Sequence, residues 1–200
     1  MTNSEQDIPL FVDLDGTLLK TDTLFEAVLI LLKTNIFHCL SLLFWLRKGR
    51  AYLKYELSKR VNMPVASLPI NTMFLEYLRA QKREYRELIL ISASNQKAVD
   101  EVNDHIKLFD DAFGSDKKVN LRGQKKLEKI KMLCGGKPFS YAGNSRDDLV
   151  IWNEASQAVL VNCDIKTMNL KTFKNTLEFD PPESRLKQLL KSVRPHQWLK

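Results

Sequence analysis

Short apolar runs alternate along this chain with longer stretches of helical spacing. Pro9-Leu10-Phe11-Val12 ends at Asp13, and Leu88-Ile89-Leu90-Ile91 ends at Ser92-Ala93-Ser94. Ala112-Phe113-Gly114 is a weaker run, Phe139-Ser140-Tyr141-Ala142 ends at Gly143-Asn144, and Ala158-Val159-Leu160-Val161 closes the series. Runs this short, bounded by turn residues, predict buried strands. Between them, helical spacing covers residues 96–108, 124–133 and 147–155, the second stopped by Gly135-Gly136. Strands alternating with helices predict an α/β three-layer sandwich with a mostly parallel sheet and right-handed crossovers. Ligands of such sheets bind beyond the carboxyl ends of the strands, which puts Asp13, Ser92 and Asn144 along one rim.

Residues 21–86 break the alternation. They are helical in pattern and strand-free, so they read as an all-helical cap inserted between the first two core strands. The domain division expected is therefore a core of residues 1–20 and 87–181, with residues 21–86 as the cap. Within the cap, residues 24–46 are apolar and approach the roughly 20 residues a membrane span needs. Glu26, Lys33, Asn35 and His38 interrupt that run, and a charge inside a span is costly, so a packed helical hairpin is expected instead. Partial membrane contact by Phe44 and Trp45 stays open at this level. After Asp180-Pro181-Pro182, which stops any strand or helix, residues 183–193 read as a basic amphipathic helix.

Composition narrows the classes. At 200 residues, with 44% apolar and 28% charged positions, the chain can build a core. Three distant cysteines, Cys39, Cys134 and Cys163, indicate free thiols in a reducing compartment. The start Thr2-Asn3-Ser4-Glu5-Gln6-Asp7 is polar and acidic, the opposite of a signal peptide, so a cytoplasmic start is expected. The net charge of +7 raises nucleic acid as a partner. The excess is spread over several helices with no finger, RNP or basic-zipper pattern, so no nucleic-acid partner is expected. Phosphate substrates or an acidic lipid surface fit the charge at least as well.

The chemistry gathers at the strand ends. Asp13 and Asp15, two apart, can address the same rim region, and Gly16 permits the sharp turn after them. A carboxylate attacking phosphorus splits one hard displacement into two, and a second acid can protonate the leaving alcohol. Two carboxylates this close repel unless a cation intervenes, which Mg²⁺ would supply. Ser92-Ala93-Ser94-Asn95 offers a hydroxyl and backbone N–H groups where a helix begins, a natural phosphate cradle, although Ser94 or Asn95 would also serve as a plain helix cap. Lys125 and Lys126 each could balance charge there, among many lysines that must be solvated. Gly143-Asn144-Ser145-Arg146-Asp147-Asp148 would finish the metal site, or simply cap a helix.

The ordered set Asp13-x-Asp15-Gly16-Thr17, Ser92, Lys126 and Gly143-Asn144-Ser145-x-x-Asp148 resembles the four motifs of the haloacid dehalogenase (HAD) superfamily across residues 8–161. The resemblance implies a HAD-like Rossmannoid core and a Mg²⁺-dependent phosphomonoester hydrolase working through an aspartyl-phosphate. It makes Asp13 the nucleophile and Asp15 the general acid/base. Ser92 would hold the phosphoryl group and Lys126 the charge balance, with Lys125 as fallback. Gly16, Thr17, Ala93 and Ser94 would line the substrate, while Asp13, Asp15, Asn144 and Asp148 would hold the metal. The family usually has Asp where this chain has Asn144, which removes one negative charge from the metal corner. Arg194-Pro195-His196-Gln197-Trp198-Leu199-Lys200 resembles the opening of UbiA-like membrane prenyltransferases, some of which carry such an N-terminal domain. That implies a head on the cytoplasmic side of a membrane protein whose prenyltransferase domain begins near residue 182. The substrate class implied is a sugar phosphate or a polyprenyl-linked phosphoribose.

Two other readings remain at this level. One is a catalytically weak head that docks on or regulates the membrane transferase, motivated by Asn144. The other is a phosphoacceptor receiver domain, but receivers place their acceptor at the third strand, and Asp13 follows the first.

Overall fold

Strand β1 (Leu10–Val12) is apolar on both sides, as a central strand of a parallel sheet must be. The computed structural model describes residues 7–34, 37–163, 173 and 175–179. Six strands form one sheet in the order β3-β2-β1-β4-β5-β6, with every pairing parallel. They are β1, β2 (Leu88–Asn95), β3 (Asp111–Ser115), β4 (Ser140–Gly143), β5 (Gln157–Val161) and β6 (Thr176–Phe179). Four helices serve as layers: α4 (Thr72–Arg83), α5 (Gln96–Ile106), α6 (Gln124–Cys134) and the single turn α7 (Leu149–Trp152).

The period of two along each strand sorts the core into two faces. Leu10, Val12, Leu88 and Leu90 pack with Phe74 and Leu78 of α4 and Val99 and Val102 of α5. Phe11, Ile89, Ile91 and Leu160 face the other way, onto Leu127 and Ile130 of α6 and onto Trp152. This is the expected three-layer α/β sandwich, its sheet parallel throughout.

The chain builds outward from β1 to β2 and β3, then returns to the other side of β1 for β4, β5 and β6. Strand order therefore reverses between β1 and β4. A crevice opens at such a switch point, beyond the carboxyl ends of the strands. Asp13 and Asn144 are the residues next after those two strands.

Three departures from the sequence reading carry physical reasons. Residues 21–86 do not act as one unit. Helices α1 (Thr23–Thr34), α2 (His38–Arg47) and α3 (Arg50–Ser58) pack on each other through Ala27, Leu31, Trp45, Leu53 and Leu57, whereas α4 joins the core cluster of the sheet. Strand β2 continues through Ser92 to Asn95, with a register shift against β3 between Ile91 and Asn95. In place of the helix expected over residues 147–155 the chain makes a 3-10 turn (Arg146–Asp148), opened by a capping box at Ser145, and then α7. The Asp180-Pro181-Pro182 stop, the helix expected over residues 183–193 and the prenyltransferase-like tail lie outside the described residues.

Candidate active site

Asp13 leaves β1 with its side chain largely buried, and its Oδ1 accepts a hydrogen bond from Lys126 Nζ at 2.7 Å. Lys126 is 3% exposed, whereas Lys125 is exposed, so of the two it is Lys126 that meets Asp13. Its ammonium also donates to Tyr141 Oη at 3.0 Å and lies 3.8 Å from Asp148 Oδ1. Burial opposes that charge, but Asp13 and Asp148 outweigh burial and hold Lys126 above its ordinary pKa. Burial is also the largest influence on Asp13 and raises its pKa; Lys126 pulls it back and Asp148 pushes it up again. Asp13 also lines the cleft.

Asp148 is hydrogen-bonded through both carboxylate oxygens. Its Oδ1 accepts from Tyr141 Oη at 2.6 Å, and its Oδ2 accepts from the backbone N–H of Asn144 and Ser145 and from Ser145 Oγ. Asp148 thus braces the β4 loop and anchors Lys126 through Tyr141. Its carboxyl group would sit 2.8 Å from a Cβ at position 143, which explains the glycine there.

Asp15 is bound on its other side. Thr23 donates its backbone N–H to Oδ1 at 2.8 Å and its hydroxyl to Oδ2 at 3.2 Å, and Ser94 Oγ donates a short hydrogen bond to Oδ2. Burial, then the charge of Asp22, raises the Asp15 carboxyl to about 6, against the pull of Ser94 and Thr23. A carboxyl group so poised is partly protonated near neutrality, as a proton donor should be. Ser94 is consequently a partner of Asp15 and not part of the cleft lining. Gly16 takes φ +77°, and a Cβ there would meet Asn144 Nδ2 at 1.9 Å, so the glycine makes room for that amide. Thr17 is fully buried, its hydroxyl without a partner, and neither Gly16 nor Thr17 lines the cleft.

The cleft itself is about 340 Å³. Asp13, Asp15, Ser92, Ala93, Lys126 and Asn144 form its floor, and Arg50 and Lys54 of α3 and Arg122 of the β3–α6 loop add positive charge. Ser92 Oγ accepts from Ser94 N at 3.0 Å, which leaves its proton for the cleft. Lys54 Nζ donates to the Ala93 carbonyl at 2.5 Å; burial lowers its pKa, partly offset by Asp15 and Asp22. Arg122 pairs with Asp147, Nε and Nη2 both 2.6 Å from Oδ2. Arg50, Lys54, Arg122 and Tyr141 were not among the residues expected from sequence. Each reaches the site through tertiary packing, which no local motif signals.

Among the described residues no three His, Cys, Asp or Glu side chains are grouped to hold a metal. Asp13 and Asn144 both line the cleft. Mg²⁺ commonly binds through one or two carboxylates, several waters and substrate phosphate oxygens, so this donor set fits a lightly held ion.

No family model matches the chain. Its sequence is 34% identical over 205 residues to an uncharacterized protein, y4nM, of Sinorhizobium fredii (strain NBRC 101917 / NGR234). That match takes in 98% of this chain and 38% of the relative, so the chain spans about two-fifths of the length of the curated relative it matches. Among solved structures, a phosphoserine phosphatase captured as a phospho-aspartyl intermediate analogue is similar at TM-score 0.55 and 13% identity, covering 94% of this chain and 100% of that one. A predicted phosphoglycolate phosphatase of Haemophilus somnus gives 0.56 and 15%, covering 94% and 99%. A HAD-family hydrolase of Salmonella enterica serovar Typhi gives 0.60 and 11%, covering 88% and 70%. The strand order, the position of Asp13 and these likenesses agree: the chain has the fold of the HAD-type phosphatases.

Proposed function

We propose that the chain is a phosphomonoester hydrolase that passes the phosphoryl group through Asp13. The observation that carries this reading is the pair formed by Asp13 and the buried Lys126 at the switch point of the sheet, with Asp13 lining the cleft. Asp13 Oδ2 attacks phosphorus as the ester oxygen leaves, and Asp15 gives that oxygen its proton. Asp15 then takes a proton from the water that attacks the aspartyl-phosphate, releasing phosphate and restoring Asp13. Ser92 donates to a phosphoryl oxygen, while Lys126 keeps Asp13 oriented and offsets the charge that gathers on the phosphoryl group. Mg²⁺, held by Asp13 and Asn144, would neutralise the phosphoryl oxygens.

The substrate proposed is a sugar phosphate or a polyprenyl-linked phosphoribose, drawn in by Arg50, Lys54 and Arg122. The setting proposed is the cytoplasmic head of a UbiA-like prenyltransferase. Its support is the resemblance of residues 194–200 and a relative of much greater length. Asn144, which removes a charge from the metal corner, favours a second reading, a head that docks on or regulates the transferase without turnover. Hydrolysis of p-nitrophenyl phosphate separates the two. The enzyme reading expects Mg²⁺-dependent turnover, cut by at least about 1000-fold in Asp13→Asn. Absence of turnover on this ester, on sugar phosphates and on the lipid-linked phosphoribose would leave the docking role.

A further inference from the structure

Helix α2 holds apolar side chains where water should be. Leu40 is 68% exposed, Leu43 62% and Phe44 57%, and Phe37, just before the helix, is 77% exposed. At 100° per residue these four fall on one stripe, while Leu42 and Trp45 on the opposite side pack against α1 and α3. Single exposed apolar residues are ordinary, but a contiguous stripe of this kind marks an interaction surface.

Charge says what it fits. Between Glu26 and Glu56 the chain has Lys33, Arg47, Lys48, Arg50 and Lys54 and not one carboxylate. Arg47 and Lys48 continue the stripe at its carboxyl end, and the Lys48 ammonium lies 4.7 Å from the Phe44 ring centre and 4.9 Å from that of Tyr52. A second copy of the chain would set these cations against their own kind. A surface with an apolar interior beneath anionic groups matches both halves of the patch. At ten residues α2 is half the roughly 20 residues of a span, and no helix among the described residues is long and apolar enough to cross a membrane.

We propose that α2 seats in the interface of an anionic lipid bilayer, with Phe37, Leu40, Leu43 and Phe44 entering the acyl boundary and Arg47 and Lys48 at the headgroup phosphates. Arg50, two residues further on, lines the cleft, so the seated edge adjoins the mouth of the site. The proposal stands apart from the phosphatase reading, because binding is measured without turnover.

The test is co-sedimentation with vesicles of phosphatidylcholine alone and of phosphatidylcholine with about a third phosphatidylglycerol, on the wild type, the Phe37→Ser/Leu40→Ser/Phe44→Ser variant and the Arg47→Glu/Lys48→Glu variant. The wild type is expected to partition at least about tenfold more strongly onto the anionic vesicles, and each variant to lose at least about tenfold of that binding. Melting by circular dichroism and p-nitrophenyl phosphate hydrolysis are expected to stay unchanged in both. If the triple variant does not fold, the charge variant and quenching of Phe44→Trp by brominated acyl chains decide the matter. No anionic preference, unaltered binding by the variants, or absence of quenching overturns the proposal. So does a lipid-free dimer that the triple variant dissociates, which would make the stripe a contact between copies.

Discussion

Asp15 is held by groups that the sequence places far from it. Thr23 and Ser94 hydrogen-bond its carboxylate, but neither contact overcomes burial and the charge of Asp22, and its pKa stands near 6. An unfolded aspartate titrates near 3.8. With the folded value raised, ionisation costs the native state more than the unfolded one, and the cost grows as pH rises from about 4 to 6 and then stays constant. Asp15→Asn removes it. In metal-free buffer, urea unfolding is expected to show the variant gaining about 1–3 kcal/mol relative to wild type between pH 4 and 7. A difference independent of pH would mean that Asp15 is not strained. At this scale Asp13 and Lys126 were legible because one follows a strand and the other opens a helix, whereas Ser92, read at a strand end, stands inside β2. Tyr141 was not, since the same aromatic inside an apolar run reads as core until Lys126 and Asp148 are seen around its hydroxyl.

The β4 loop shows how an element sets what its residues can do. Asp148 closes a capping box on Ser145 and so fixes Asn144 at the rim beside Gly16. Asn144 thus keeps the place of a ligand without the charge of one. Asn144→Asp is expected to bind Mg²⁺ roughly tenfold more tightly, read by calorimetry or by the Mg²⁺ concentration for half-maximal activity. Unchanged or weaker binding would remove Asn144 from the metal corner. The elements of the core followed from their apolar periods, but β6 did not: Thr176-Leu177-Glu178-Phe179 offers two apolar positions in four, too few to stand out. The allegiance of α4 was equally hidden. Its amphipathic face would suit a cap or a sheet, and only Phe74 and Leu78 against Leu88 and Leu90 decide for the sheet.

Over the whole molecule, a parallel sheet whose order reverses at β1 places a buried Asp–Lys pair beneath three helices, with Arg50 and Lys54 of α3 over the cleft. Arg50 and Lys54 lie on the same helical unit that bears the apolar stripe. The α/β class and the rim were readable from strand ends alone, whereas the cationic roof required the packing of α3 on β2. The central claim is that phosphate passes through Asp13, and it is tested most directly by trapping. Asp15→Asn, which can accept a phosphoryl group from p-nitrophenyl phosphate but activates water poorly, is quenched in acid, reduced with borohydride and digested. The account predicts a homoserine at position 13 alone, formed only when ester and Mg²⁺ are present. Reduction at any other carboxylate, or turnover that persists with position 13 unlabelled, would contradict it.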